Sequence, residues 1–349
     1  MVINIDKNIF KERDFKSLNF FIQLCTYKNR YKVYTELDDD LKKSKEFKRL
    51  DYEDQSLLEE NYNNLAQVQL IESDVFLNSK YIITTDIRQE KNVFTIDEAI
   101  RYFIQPISII LENSKNDACF VNAIFKHFAI DNRIQNYMNN NWIQFENAGG
   151  CDGVKNFIEG KKQSFNTLPK ADKSFYLRAF VLIDSDKLHE HESLKQNKKN
   201  ILKYLVQNSV SRHILRKRSI ENYVPIEAVQ TLKNNSNYST WIDTFLALSD
   251  KQKDFFSIEK GLCGLDKNQQ PKKTKEQINT ETNSLYDDVL LEPLSENKLT
   301  NGIKHHGYSN FKENFPKLFE LPIVNKYNLK ERSNSNELEK IIYKIYKLL

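Results

Sequence analysis

The sequence contains few of the residues that characterise several classes of protein. Of its 349 residues, 8 are glycine, 7 are proline and 4 are cysteine. So little glycine and proline excludes a collagen-like chain and a low-complexity linker. The longest apolar run, near residues 107–111, is far shorter than the about 20 residues that a membrane-spanning helix requires. Residues 1–15 lack the apolar core of a signal peptide. We therefore expect no membrane association.

The cysteines and the net charge exclude further classes. Cys25, Cys119, Cys151 and Cys263 are far apart and form no CxxC pair, so neither a zinc site nor a disulfide framework is expected. This usage fits a reduced, cytoplasmic setting. The 52 Lys and Arg exceed the 48 Asp and Glu by only four. Any contact with nucleic acid must therefore come from local basic clusters and not from the overall charge.

The composition is otherwise that of a folded protein with two or three structural units. Hydrophobic residues make up 40% of the chain, with 22 Phe and 17 Tyr. Residues 1–105 are rich in charge and helix formers, and residues 43–70 repeat apolar positions at helical spacing. Residues 236–349 are polar with helical patches, and residues 266–281 are expected to form a loop. Both flanking regions are thus predicted to be mainly helical.

The middle region, residues 106–235, has a different pattern. Short apolar runs alternate there with amphipathic helical segments, which indicates βαβ units and a parallel sheet. The runs are continuous, as expected for strands that are buried on both faces. The predicted strands lie at 107–111, 142–145, within 175–183, and around 213–215. The fold class is therefore predicted to be α/β, with a Rossmann-like core between two mainly helical regions.

Three carboxylates follow two of these predicted strands. Glu112 ends one apolar run, Asp184 ends another, and Asp186 follows two residues later. Parallel strands present their carboxyl ends at one edge of the sheet, where ligands bind. Residues i and i+2 of an extended chain face the same side, so both aspartates can point to one place. Oxygen ligands of this kind suit Mg²⁺ or Mn²⁺.

A structural interpretation of the same residues stays open. Asp commonly ends an apolar strand because it favours turns and helix N-caps, and Glu112 could belong to a capping segment. The histidines of the chain's HEH and HH pairs, at positions 189, 191, 305 and 306, are more typical of an exposed surface than of a metal site. The carboxylates at two strand ends are therefore the better indication of a site.

The order of these segments resembles a TOPRIM domain, most closely that of the OLD-like nucleases. The resemblance rests on IILENSKNDA at 109–118, NAGG at 147–150, FVLIDSD at 180–186 and HILRKRSIENYVP at 213–225. It covers about residues 106–230. The usual pattern has Gly directly after the first Glu, whereas this chain has Asn113 there. Asn tolerates the left-handed backbone conformation better than most residues, so a turn at this position can be kept.

The resemblance implies a metal-dependent nuclease that cuts DNA or tRNA. In such a site two divalent ions clamp the attacking and leaving oxygens of a phosphodiester. By resemblance, Mg²⁺ or Mn²⁺ would be held by four acids: Glu112, Asp184, Asp186 and Glu221. Lys260 is predicted as a further cation for the transition state. The basic run before Glu221 is predicted to contact phosphates through Arg212, Arg216, Lys217 and Arg218.

The resemblance also implies partners, while two other functions remain open. Stand-alone TOPRIM chains of about this size resemble the toxin subunits of the PARIS and AbiL types of anti-phage system. This implies a homodimer and a separate ABC-type ATPase partner, and the chain itself has no GxxxxGK[ST] phosphate loop. One alternative is a catalytically inactive TOPRIM module that binds nucleic acid or a partner protein. A primase-like nucleotidyl transferase is the other.

Overall fold

The computed structural model describes most of the chain. The described residues are 2–11, 14–68, 81–264, 266, 270–291, 293–294 and 296–349, with the backbone alone described at 65–68. Among these residues, no helix is both long enough and apolar enough to cross a bilayer.

Two four-stranded sheets organise the described chain, and every strand pair in them is parallel. The first sheet has the order β2-β1-β3-β4 and consists of β1 (Val2–Ile5), β2 (Lys32–Thr35), β3 (Tyr81–Ile83) and β4 (Val93–Phe94). The second has the order β6-β5-β7-β8 and consists of β5 (Ile107–Leu111), β6 (Ile143–Asn147), β7 (Ala179–Ile183) and β8 (Ser211–Ile214).

Helices connect and cover the strands. In the first region they are α1 (Phe15–Thr26), α2 (Asp39–Lys43), α3 (Tyr52–Val68) and α4 (Ile96–Phe103). In the middle region they are α5 (Ser114–Phe128), α6 (Arg133–Asn139), α7 (Cys151–Gln163), α8 (Gln196–Gln207) and α9 (Ile226–Gln230). In the last region they are α10 (Ser236–Ala247), α11 (Asp250–Phe255), α12 (Lys275–Thr282), α13 (Phe311–Asn314), α14 (Lys326–Ser333) and α15 (Glu337–Tyr346).

The structure confirms the predicted Rossmann-like α/β class with helices on both sides of the core. The two central strands of the second sheet, β5 and β7, are buried at every residue. Continuous apolar sequence at these strands therefore reflects helices packed on both faces of the sheet. The acidic run at 36–40 contains the start of α2, which Asp38 caps by accepting a hydrogen bond from the Leu41 backbone N–H at 2.7 Å.

Two features differ from the expectations. The N-terminal region contains the whole first sheet in addition to its helices. Residues 275–281 were expected in a loop but belong to α12, whose first turn is held by a capping box between Thr274 and Gln277. Residues 267–269 of that predicted loop lie outside the described residues.

Candidate functional site

Glu112 and Asp184 lie at the same edge of the second sheet. Each follows its strand directly, Glu112 after β5 and Asp184 after β7. The two strands are parallel neighbours, with Ile110 paired with Val181. Their carboxyl ends therefore lie side by side, which is the arrangement expected from the sequence.

The Asp-Ser-Asp turn after β7 is held by the loop that follows β8. Asp186 has a φ of 54°, in the left-handed region that Asp enters more readily than most residues. Its backbone N–H donates to the carbonyl of Arg218 at 2.9 Å. The buried Ser185 hydroxyl donates to the carbonyl of Lys217 at 2.7 Å. These two bonds fix the positions of the aspartates on either side of Ser185.

Glu221 reaches the same edge from a short 3-10 helix, Ile220–Tyr223. The buried side chain of Asn222 orders this helix by donating to the carbonyls of Lys253 at 2.8 Å and Phe256 at 2.9 Å. The backbone N–H of Ile220 donates to Asp184 Oδ1 at 3.2 Å, which joins the helix to the strand end. Glu221 itself is 8% exposed.

A fifth carboxylate, Asp117, belongs to the first turn of α5. Its Oδ2 accepts a hydrogen bond from the Asn113 backbone N–H at 2.9 Å. Asn113 has a φ of −139°, so this turn does not use the left-handed conformation that a glycine would favour. We call the five acids at this edge the rim cluster: Glu112, Asp117, Asp184, Asp186 and Glu221.

Lys198, in the first turn of α8, lies between two acids of the rim cluster. Its buried ammonium contacts Glu112 Oε1, and it lies 3.1 Å from Asp186 Oδ2. Burial by itself would lower the pKa of Lys198. The charges of Glu112 and Asp186 outweigh that effect and raise the pKa to about 12. Lys198 is therefore a permanent internal counter-ion of these two carboxylates.

A second lysine lies at the other side of the rim cluster. Lys312 Nζ is 4.0 Å from Glu221 Oε1 and 3.7 Å from Glu259 Oε2. Burial lowers the pKa of Lys312, but the charges of Glu221, Glu259 and the rim aspartates raise it above its usual value. The rim acids are thus accompanied by one buried lysine, Lys198, and one largely exposed lysine, Lys312.

Two acids of the rim cluster, Asp117 and Asp184, have raised pKa values. Burial raises the pKa of Asp117 to about 7, and the charges of Glu221 and Glu112 add to this effect. Burial also raises the pKa of Asp184, together with the charges of Glu221, Glu112, Asp117 and Asp186. Negative charge is therefore concentrated beyond what the two lysines neutralise, and the site favours an additional cation.

The donor set fits a hard divalent cation, although the side chains are not gathered around one point. All five side chains of the rim cluster are carboxylates, which is the ligand type that Mg²⁺ and Mn²⁺ prefer. Among the described residues, no group of three or more Asp, Glu, His or Cys side chains is arranged to hold one metal ion. Glu112 and Asp186 are instead drawn toward Lys198, and Glu221 toward Lys312.

No protein-family model, curated protein or solved structure matches this chain.

The predicted basic residues have different environments. Arg216 is exposed, and Arg212 and Arg218 are half-buried. Lys217 is 3% exposed, and its ammonium contacts Asp254 and the carbonyl of Arg332. Burial and the charge of Arg332 lower the pKa of Lys217 to about 8. The ammonium of Lys217 is thus occupied by contacts inside the protein. Of the four predicted basic residues, Arg216 is the exposed one.

Lys260 directly follows Glu259, a partner of Lys312, and its side chain is exposed. Its backbone N–H donates to Ser257 Oγ at 3.3 Å, and the neighbouring Glu259 is the residue that pairs with Lys312. Among the described lysines, those that contact the rim carboxylates are Lys198 and Lys312. The role of Lys260 in the transition state remains a prediction.

Sequence reasoning missed both of these lysines. For Lys198 a signal was present, because Lys198, Ile201 and Leu205 follow helical spacing and form the buried face of α8. A lysine on an apolar stripe requires a buried carboxylate partner. For Lys312 there is no comparable pattern, since it lies in the four-residue helix α13 and meets Glu221 only through the tertiary fold.

Proposed function

We propose that this protein is a metal-dependent nuclease that hydrolyses phosphodiester bonds of DNA or tRNA at the rim cluster. The proposal is carried by one observation: five carboxylates from four segments of the chain lie at the carboxyl edge of a parallel sheet, and their charges add to the burial that raises the pKa values of Asp117 and Asp184. Retaining so much like charge in one place is unfavourable for stability, and a bound cation relieves it. The resemblance to TOPRIM nucleases assigns the same edge to the same chemistry.

In this proposal Glu112, Asp184, Asp186 and Glu221 hold Mg²⁺ or Mn²⁺, with Asp117 close by. When bound, the metal activates water and neutralises the charge that develops on the phosphate oxygens. The protein fixes the ligands: Ser185 and the Asp186 backbone hold the turn on the β8 loop, and Asn222 holds the helix that carries Glu221. Lys312 supplies a positive charge at the edge of the site.

Incubation of the purified protein with supercoiled plasmid and with total tRNA tests the proposal. Cleavage should require Mg²⁺ or Mn²⁺ and stop in EDTA. Asp184→Asn and Glu112→Gln should each lower the cleavage rate by about 100-fold or more, because each removes a metal ligand. Asp243→Asn, which changes an exposed aspartate paired with Lys233, is the control and should cleave normally. Cleavage that persists in EDTA or in Asp184→Asn would refute the proposal.

The resemblance extends the proposal to the biological setting. The chain would act in the cytoplasm as the toxic effector of an anti-phage system, as a homodimer restrained by an ABC-type ATPase partner. Expression in bacteria should then be toxic unless the partner is present.

A catalytically inactive, binding-only module is the second candidate. It is favoured by the position of Lys198, which already neutralises Glu112 and Asp186 without a metal. In that case an Asp184→Ala, Asp186→Ala double variant would keep the toxicity and nucleic-acid binding of the natural chain, whereas a nuclease would lose its toxicity.

A further inference from the structure

A basic cleft opens directly beside the rim cluster. It has a volume of about 520 Å³, and its lining includes Lys187, Arg216 and Lys251 together with Lys217, whose ammonium is already paired. Residues 333–335, at the end of α14, also line it. A smaller cavity of about 110 Å³, lined in part by His189 and His191, shares Glu190, Lys251 and Phe255 with it. We call the larger cavity the basic cleft.

The basic cleft and the rim cluster share the same backbone. Lys187 follows Asp186 directly. The residues after Arg216 supply the carbonyls that hold Ser185 and Asp186, at 2.7 Å and 2.9 Å. A nucleic-acid strand that lies across the rim acids would therefore reach the basic cleft within one or two residues of the protein backbone.

The solvent-exposed part of the basic cleft carries a net positive charge. Its lining contains four cationic side chains, counting Lys217, and two carboxylates, Glu190 and Asp254. Asp254 is already paired with Lys217 and Arg332. Lys251 and Glu190 are 3.9 Å apart and largely exposed, so this pair is weak and can exchange partners. Among the described carboxylates, none pairs with the exposed guanidinium of Arg216.

The chemistry of the lining indicates phosphate and not a base. Ser333 and Ser335, whose hydroxyl oxygens lie 3.1 Å apart, also line the basic cleft. Cations and hydroxyls together are the groups that contact phosphate oxygens. Among the described lining residues, Phe255 is the one aromatic side chain, and at 8% exposure it offers no face on which a base could stack.

We infer that the basic cleft binds the phosphate backbone of a polynucleotide strand next to the scissile bond, through Lys187, Arg216 and Lys251 and without reading sequence. The inference rests on the proposed function, since it takes the rim cluster as the place of cleavage. It adds two lysines that the sequence did not indicate and replaces Lys217, whose ammonium is occupied.

The test is a binding measurement in EDTA, where no cleavage occurs. A fluorescent single-stranded DNA of mixed sequence is titrated with the natural chain and with the triple variant Lys187→Gln, Arg216→Gln, Lys251→Gln at several salt concentrations. For single strands each phosphate contact contributes about 0.7 to the slope of log K against log salt. The triple variant should therefore lower that slope by about 2 and weaken binding roughly a hundredfold at 0.1 M salt.

The matched control is Lys43→Gln, Lys48→Gln, Arg49→Gln, which removes two exposed lysines and one exposed arginine far away in sequence. It should leave the slope unchanged. Arg216→Gln alone should lower the slope by about 0.7, which keeps the test valid if the triple variant does not fold. Unchanged binding by the triple variant, or no binding of the DNA by the natural chain, would overturn the inference. Binding through the basic cleft without cleavage in Mg²⁺ would instead refute only the nuclease.

Discussion

Lys198 is the residue that most determines the metal-free state of the rim cluster. A buried lysine is unfavourable unless carboxylates compensate its charge, and Lys198 has two. The same two carboxylates are needed by a divalent cation in the proposed function. The lysine and the metal therefore compete for Glu112 and Asp186, and each stabilises the protein by the same electrostatic means.

Replacing Lys198 with methionine should reveal this competition. Lys198→Met keeps most of the side-chain volume but leaves two carboxylates without their counter-ion, so the free energy of unfolding in EDTA should fall by about 3–5 kcal/mol. Mn²⁺ at a hundredfold excess over its Kd should then restore about 2.7 kcal/mol. Thermal unfolding followed by circular dichroism, with and without Mn²⁺, measures both effects.

Lys330→Met is the matched control, because it removes a partly exposed lysine paired with Glu339 at 3.3 Å. Such a surface pair contributes at most about 1 kcal/mol. A Lys198→Met protein as stable as the natural chain in EDTA would contradict the counter-ion role. A loss of stability that Mn²⁺ does not reverse would support the counter-ion role and speak against the metal site.

At the scale of single residues, the sequence predicts the positions of the rim acids better than those of the lysines that pair with them. Glu112 and Asp184 could be placed because they end apolar runs, and parallel strands bring their ends to one edge by geometry alone. Lys198 and Lys312 reach the site from helices, whose orientation depends on how they pack against the sheet. The burial of Lys217 could not be predicted for the same reason: Arg216, Lys217 and Arg218 are neighbours in sequence but differ in burial once the chain folds.

At the scale of elements, α15 fixes the loop that supports the rim cluster. Its first residue, the buried Glu337, accepts hydrogen bonds from the Tyr223 hydroxyl at 2.5 Å and the Arg216 backbone N–H at 2.9 Å. His213 Nε2 lies 2.7 Å from the same carboxylate. One side chain thus joins α15 to β8 and to the 3-10 helix that carries Glu221.

Glu337→Gln should loosen this connection. Burial by itself would raise the pKa of Glu337, but the hydrogen bonds from His213 and Tyr223 hold it below its usual value. At neutral pH the variant should be less stable by about 2–4 kcal/mol, because a buried charged acceptor is lost. A group with a lowered folded-state pKa stabilises above its unfolded pKa and loses that effect as the pH falls through the folded one.

The difference between the natural chain and Glu337→Gln should therefore be largest above about pH 5 and shrink in acid. Urea unfolding at pH 7 and at pH 3 measures it. Glu331→Gln, which changes an exposed glutamate of α14, should alter stability by less than about 0.5 kcal/mol at either pH. A difference that does not depend on pH would show that the carboxylate's charge is not what holds α15.

The first sheet shows where sequence patterns fail for whole elements. Its strands have four residues or fewer, which is too short for an alternating or continuous apolar pattern to be recognised. The strands of the second sheet have four or five residues, and its two central strands are apolar at every position except Ser108, so they could be predicted. The flanking helix α3 is longer and amphipathic, and the sequence pattern at residues 43–70 identified it.

At the scale of the whole molecule, the three regions share one interior. A connected set of buried apolar side chains runs from Ile3 to Leu349. Buried polar contacts cross the same boundaries. The ammonium of Lys170 donates to the carbonyls of Arg88 and Val93 in the first region, and Arg178 donates to the Leu348 carbonyl at 2.9 Å in the last. No region can then unfold without exposing the interior of another.

The two tryptophans of the chain test whether unfolding is one event. Trp142 lies against Arg30 and Tyr137 where the first and middle regions meet, and Trp241 is buried in the last region. The Trp241→Phe variant keeps Trp142, whose fluorescence reports on the boundary of the first and middle regions. The Trp142→Phe variant keeps Trp241, whose fluorescence reports on the last region. Within each variant, the fluorescence transition in urea should coincide with the far-ultraviolet circular dichroism transition, because shared burial makes the regions cooperative. A fluorescence midpoint at lower urea than the circular dichroism midpoint, in either variant, would mean that the region around the remaining tryptophan opens independently. The shared interior would then be too weak to couple the basic cleft and the rim cluster to the flanking regions.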